Sequence, residues 1–221
     1  MTATAWQADP YTAALRTGRG PLFLRRRDGW LLPLEVERWC EGPDFADLTV
    51  LGRCHGSVLD IGCGPGRLVV ALEARGRRVL GIDVSPEAVA RTVRAGGTAL
   101  LRSVFEPVPE EGRWETALLI DGNVGIGGDP AALMRRAAEV TAPGAVLIAE
   151  TSAEDEDADE RVEVTVVNGR GERGAPFPWA RLGARALREH ATGAGWTAAR
   201  QWTTAGRSFL ELRGPAQRRG T

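Results

Sequence analysis

The chain has 221 residues, 43% of them hydrophobic and 26% charged, enough to bury a full core without disulfides or a structural metal. A formal net charge of −1 gives no electrostatic footprint for nucleic acid or for an anionic membrane surface. All 28 basic residues are arginine, which excludes lysine Schiff-base chemistry and a Walker-A phosphate loop.

Taken in chain order, residues 1–56 hold Trp6, Tyr11, Trp30 and Trp39 without a strong helical period. So many large aromatics argue for a packed cap or lid segment rather than a disordered tail. Four short, continuous apolar runs follow, at Ser57–Asp60, Arg78–Asp83, Ala117–Asp121 and Ala145–Glu150. Strands buried on both faces of a parallel sheet have this character. Helices are predicted between most of them. One runs from Arg67 to Arg75 and stops at Gly76, another opens at Ser85-Pro86-Glu87 and closes at Gly96-Gly97, and a third runs from Asp129-Pro130 to Val140. Each carries a capping residue, an N1 proline or a terminal glycine. Residues 151–179 read as an excursion from the sheet, containing the acidic run Glu154–Glu160, treated as a solvated loop, and an alternating strand Arg161–Val167. The tail reads as a helix over Ala180–Gly193 and two strands, Trp196–Thr203 and Arg207–Arg213, turned at Ala205-Gly206. Strands alternating with capped crossovers predict a doubly wound α/β sheet. The boundaries are then a 1–56 cap and a 57–221 domain carrying the 151–179 insertion.

The most informative segment is Val58-Leu-Asp60-Ile-Gly62-Cys63-Gly64-Pro-Gly66. A buried strand ends in an acid, and glycines then alternate before a helix, where bare backbone can approach a ligand closely. A dinucleotide fingerprint would be G-x-G-x-x-G; here the third glycine comes one residue early and Arg67 stands in its place. The D-x-G-x-G-x-G pattern resembles motif I of the class I S-adenosylmethionine-dependent methyltransferases, and the resemblance runs from residue 58 to about 150. It implies a Rossmann-like seven-stranded sheet of order 3-2-1-4-5-7-6 with strand 7 antiparallel, and S-adenosylmethionine as cofactor. It also implies that the loop Asp60, Gly62, Cys63, Gly64 and Gly66 holds the methionine half. Asp83 would hold the ribose hydroxyls and Val84 would lie against the adenine. Ser103 stands where the family usually places an acid for the adenine amino group, with the Val104 N–H beside it.

The segment Asp121-Gly-Asn123-Val-Gly-Ile-Gly-Gly-Asp129 follows the fourth run, at the carboxyl edge where open α/β sheets bind ligands. In the family this edge faces the reacting methyl group, so Asp121 and Asn123 are the candidates nearest the substrate, with Asp121 also touching the cofactor. The alternative is that Asp121 caps the turn and the glycines only permit it. Of the two histidines, His55 precedes the first run and His190 lies on a charged helix face; neither is a catalytic candidate. Cys54, His55 and Cys63 lack structural-zinc spacing, and no metal is expected. Arg25-Arg26-Arg27 could meet an acidic substrate or simply face water. Phe177-Pro-Trp179 and Trp39 are candidates for a pocket wall or for plain packing. The expected activity is methyl transfer to a small-molecule acceptor at oxygen, nitrogen or carbon, with no nucleic-acid or membrane partner. Non-methylating use of the same cofactor, or a catalytically inactive binding protein on the same scaffold, stands as the alternative. Three cysteines, odd and few, fit a reducing cytoplasm. No apolar run reaches the ~20 residues of a membrane span.

Overall fold

The computed structural model describes residues 10–216. Its centre is a seven-stranded sheet built on β3 (Val58–Ile61), β4 (Val79–Asp83), β5 (Ala99–Leu101), β6 (Trp114–Leu119), β7 (Thr141–Thr151), β10 (Thr197–Thr204) and β11 (Arg207–Arg213). The spatial order is β5-β4-β3-β6-β7-β11-β10. Neighbours from β5 to β7 pair parallel, and β11 pairs antiparallel with both β7 and β10. This is the 3-2-1-4-5-7-6 order. Ala205 (φ 48°) and Gly206 (φ 76°) make the turn between the last two strands, the left-handed pair that a two-residue hairpin loop requires.

Both faces are covered. On one, α3 (Phe45–Leu51) and α4 (Arg67–Glu73) pack Ala46, Val50, Leu68 and Leu72 against Val58 and Ile148. On the other, α6 (Pro130–Val140) and α7 (Ala184–Gly193) pack Leu133, Ala137 and Leu187 against Leu59, Leu119 and Leu147. The helix α5 (Pro86–Arg94) starts as its sequence suggests: Ser85 Oγ accepts from Ala88 N–H at 3.3 Å, with Pro86 at N1. The start of α6 is built alike, with Asp129 accepting from Ala132 N–H at 3.0 Å. Among the described residues no helix is long and apolar enough to cross a membrane.

A second, four-stranded antiparallel sheet has the order β2-β1-β8-β9, from β1 (Leu22–Arg26), β2 (Leu31–Leu34), β8 (Asp159–Asn168) and β9 (Phe177–Leu182). It unites the two segments set apart in the sequence: the N-terminal hairpin pairs with the excursion, Leu24 facing Val166 across the ladder. Residues 10–56 also contribute to the main sandwich. They carry α1 (Tyr11–Thr17), the hairpin, α2 (Val36–Cys40) and α3, and α3 belongs to the main sandwich. Trp6 lies outside the described residues. Two expectations need correction. The helix expected from Ala180 begins at Ala184, because Ala180–Leu182 pairs with Asp159–Arg161; ladder hydrogen bonds outweigh helical propensity there. The acidic run is a loop only as far as Ala158; Asp159 and Glu160 open β8, and some of its carboxylates are ion-paired, Glu160 to Arg26 and Arg181 and Asp157 to Arg185.

Candidate functional site

A cleft opens at the carboxyl edge of the main sheet and runs under the second sheet. Of the residues singled out by the glycine motif and the strand ends, all but Gly66 line it: Asp60, Gly62, Cys63, Gly64, Asp83, Val84, Ser103, Val104, Asp121 and Asn123. Gly66 instead lets the loop sit on α5, for a Cβ there would come within 2.5 Å of the Thr92 side chain. At Gly64 the backbone is left-handed (φ +54°) and the direction of a Cβ meets nothing within 4 Å. That position presents bare backbone to open space.

The glycine loop and the end of β4 are hydrogen-bonded to each other. Asp83 Oδ2 accepts from Gly64 N–H at 2.9 Å, and Oδ1 from Ser85 N–H at 2.8 Å. Burial pushes the Asp83 carboxyl up, opposed by those backbone donors. Each oxygen retains a second lone pair. Asp60 is more isolated. Its carboxyl is buried and accepts no side-chain or loop hydrogen bond among the described residues. Burial, with Asp121 nearby, raises it from 3.8 to about 7 against the pull of Arg67. The folded chain therefore holds a proton there that the unfolded chain has lost, so this group's contribution to stability falls as pH rises from about 4 to about 7 and is flat above. Asp60→Asn should remove that slope. Relative to the parent, the variant gains about 2–3 kcal/mol between pH 5 and pH 8, read by thermal melts of the ligand-free protein. A gap independent of pH would contradict the burial of a titrating Asp60.

Asn123 and Asp121 both line the cleft, and each also makes bonds that brace it. The Asn123 amide donates to Ile61 O at 3.0 Å and Gly62 O at 2.8 Å, so it braces the start of the glycine loop. Asp121, at the left-handed φ of 59° that aspartate tolerates, accepts from three guanidiniums: Arg38 at 2.7 Å, Arg67 at 2.7 Å and Arg207 at 3.1 Å. Both carboxylate oxygens are engaged. These arginines also bind Asp44, Asp47 and Glu150, in a network that ties α2, the capping box of α3, α4 and the ends of β6, β7 and β11 together. Sequence reasoning missed this network, whose members lie up to 163 residues apart.

Ser103 lines the cleft, but its hydroxyl accepts from Phe105 N–H at 3.3 Å and its N–H donates to Glu106 at 3.0 Å. Burial pushes the Cys63 thiol well above its usual range, so it is a small packing residue. Arg26 pairs with Asp28 and Glu160, and Arg27 with Glu163; the arginine triplet does not line the cleft. Trp30 lies on the surface beneath Arg26. His190 pairs with Asp159, away from the cleft. The second sheet and α1–α2 supply the remaining wall: Leu24, Leu32, Leu34, Phe177, Trp179, Tyr11 and Trp39. The hairpin behind Leu24 and Leu32 carried a readable signal in Asp28-Gly29, a preferred turn dipeptide, whose Asp28 accepts from Trp30 N–H at 3.1 Å.

A methyltransferase-domain family matches residues 35–199, three quarters of the chain. This chain belongs to the class I S-adenosylmethionine-dependent methyltransferases. Over 47 residues this methyltransferase is 38% identical to the 2-heptyl-1-hydroxyquinolin-4(1H)-one methyltransferase of Mycobacteroides abscessus, covering 21% of each chain. It spans only 21% to 32% of the length of the curated relatives it matches. Among solved structures it resembles a methyltransferase of Bacteroides fragilis in complex with S-adenosylhomocysteine (TM-score 0.78, 18% identity, 97% of each chain). It also resembles the CcbJ methyltransferase of Streptomyces caelestis (TM-score 0.65, 16% identity, 98% of this chain and 100% of that one). The second of these, like the first, is matched along nearly the whole methyltransferase chain, so the likeness in fold takes in the four-stranded sheet.

Proposed function

We propose that this methyltransferase binds S-adenosylmethionine along the loop 62–66 and transfers its methyl group to a small organic acceptor held beneath the second sheet. The observation that carries the reading is the joining of the glycine loop to Asp83 beside bare backbone at Gly64. The donor set fits the ligand. Asp83 offers two carboxylate lone pairs to two vicinal ribose hydroxyls, a charge-assisted arrangement. Asp60, lacking a donor, gives up its proton when the methionine ammonium arrives and then offers it a carboxylate. Val84 and Val104 flank the adenine end, with Ser103 and Arg102 at its edge. When bound, the cofactor supplies an electrophilic methyl on a positively charged sulfur.

The chain's own contribution is positional. Asn123 fixes the loop, and Asp121 locks the cleft floor through its arginines rather than touching the reacting atoms. The second sheet, assigned here as the acceptor cover, excludes water. Alignment of reactants and exclusion of solvent are worth up to ~7–11 kcal/mol in model reactions. The reading is tested by calorimetry with S-adenosylhomocysteine. Asp83→Ala should weaken binding by about 1.5–3 kcal/mol, the range for hydrogen bonds to a charged group, and Asp83→Asn by less. Unchanged affinity in the alanine variant would place the cofactor elsewhere.

A further inference from the structure

Resting on the reading above, we infer that the acceptor is a flat apolar ring bearing an acidic hydroxyl, a phenol or enol, that reaches the site able to ionise without a protein base. The acceptor half of the cleft is walled by Leu24, Leu32, Leu34, Trp39, Phe177 and Trp179, which suits a ring and stacks no charge against it. Asp60, the one cleft carboxyl without a donor, stands at the glycine loop, where it is assigned above to the methionine ammonium; the acceptor wall itself carries no other free base among the described residues. Asp121 is engaged by three guanidiniums, Asp83 by two backbone donors, and both histidines lie away from the cleft. Tyr11, which lines the cleft, is held well above its usual range by burial and by Asp83, so it stays a neutral phenol.

One cation without a carboxylate partner lines the cleft, Arg102, whose buried Nε has no acceptor among the described residues. Arg102 follows β5, its backbone N–H donating to Asp83 O at 2.8 Å, at the end of the cleft assigned above to the adenosine, and Arg67 is bound by Asp47 and Asp121. A carboxylate acceptor would bring two oxygens into this wall; a ring oxygen brings one. Trp39 belongs to this wall, and its buried indole N–H has no acceptor among the described residues; in the inferred complex the ring oxygen is its acceptor. The reaction balances as follows. The hydroxyl proton goes to solvent, an oxygen lone pair forms the new O–C bond, and the methyl–sulfur bond breaks with its pair staying on sulfur. An anion and a cation thereby become two neutral products. An apolar, low-dielectric wall favours this loss of charge, whereas an amine acceptor would keep a cation and need a base to discharge it.

The test uses the full chain with methyl-labelled S-adenosylmethionine and a size-matched panel of nitrophenols, hydroxynaphthalenes, cycloalkyl amines, cycloalkanols and aryl carboxylates. The ring hydroxyls should exceed the amines and alcohols by about 100-fold in kcat/KM. The rise of kcat/KM with pH should break at each acceptor's own pKa and move with it. Calorimetry on the S-adenosylhomocysteine-loaded protein should show the hydroxynaphthalenes binding, and Trp39→Phe should weaken that binding severalfold without changing the cofactor's. A pH break common to all acceptors would reveal a protein base and overturn the inference. So would methylation of amines, alcohols or carboxylates in preference, or loaded protein that neither binds nor methylates any ring hydroxyl. Failure of S-adenosylhomocysteine itself to bind would instead sink the cofactor reading.

Discussion

Arg207→Met should destabilise the protein by about 3–5 kcal/mol, the range for removing one partner from a buried ion pair. Arg207 reaches Glu150 through Nε at 2.8 Å and Nη2 at 2.7 Å, Asp47 at 2.9 Å, Asp44 at 3.2 Å and Asp121 at 3.1 Å. Burial opposes its charge, but Glu150, Asp121 and Asp47 outweigh that and hold it further above its already high range. Methionine fills much of the same space and leaves those carboxylates facing one another, with Asp47 fully buried. At the 2–4 °C per kcal/mol usual for a chain of this size, the melting temperature should drop by about 10 °C. Arg207→Lys keeps the charge but not the planar fork and should fall between. A methionine variant melting within 2 °C of the parent would mean that the network contributes no net stability.

Gly64→Val should abolish most cofactor affinity while sparing the fold. The position is left-handed, so a β-branched residue is strained by about 1–3 kcal/mol, a cost a domain of this size can survive. The larger effect is on binding. The valine methyls would occupy the open space that faces the cleft, where no protein atom lies within 4 Å. We expect the Kd for S-adenosylhomocysteine to rise by about 100-fold or more, roughly 3 kcal/mol, with Gly64→Ala intermediate. Calorimetry alongside a melt separates the two effects. A variant that binds as the parent does would show that the ligand does not run over this loop.

The contrast between these two residues marks how far the sequence reaches. The glycine loop, its preceding Asp60 and the closing Asp83 are legible because they depend on local chemistry. A buried strand, a sharp backbone turn and a capped helix each impose residue types within a few positions, and β3 and β4 pair directly. The strand order follows from the same units and from the family resemblance they carry. The capped starts of α5 and α6 are local in the same sense.

What stayed hidden depends on pairs far apart in the chain. The sequence sets the cap 1–56 and the excursion 151–179 apart, and only the ladder between Leu22–Arg26 and Asp159–Asn168 makes a second sheet. Once that ladder exists, Phe177–Leu182 finds a partner strand, which is why the last helix starts at Ala184. Asp121 reads as a candidate for chemistry because an acid at a sheet edge is suited to it. Its ion-pair partners are Arg38, Arg67 and Arg207, contributed by three separate elements. Motif chemistry is written into neighbouring residues, whereas a side chain's charge state, its partners and the wall it faces arise only when distant segments are brought into contact.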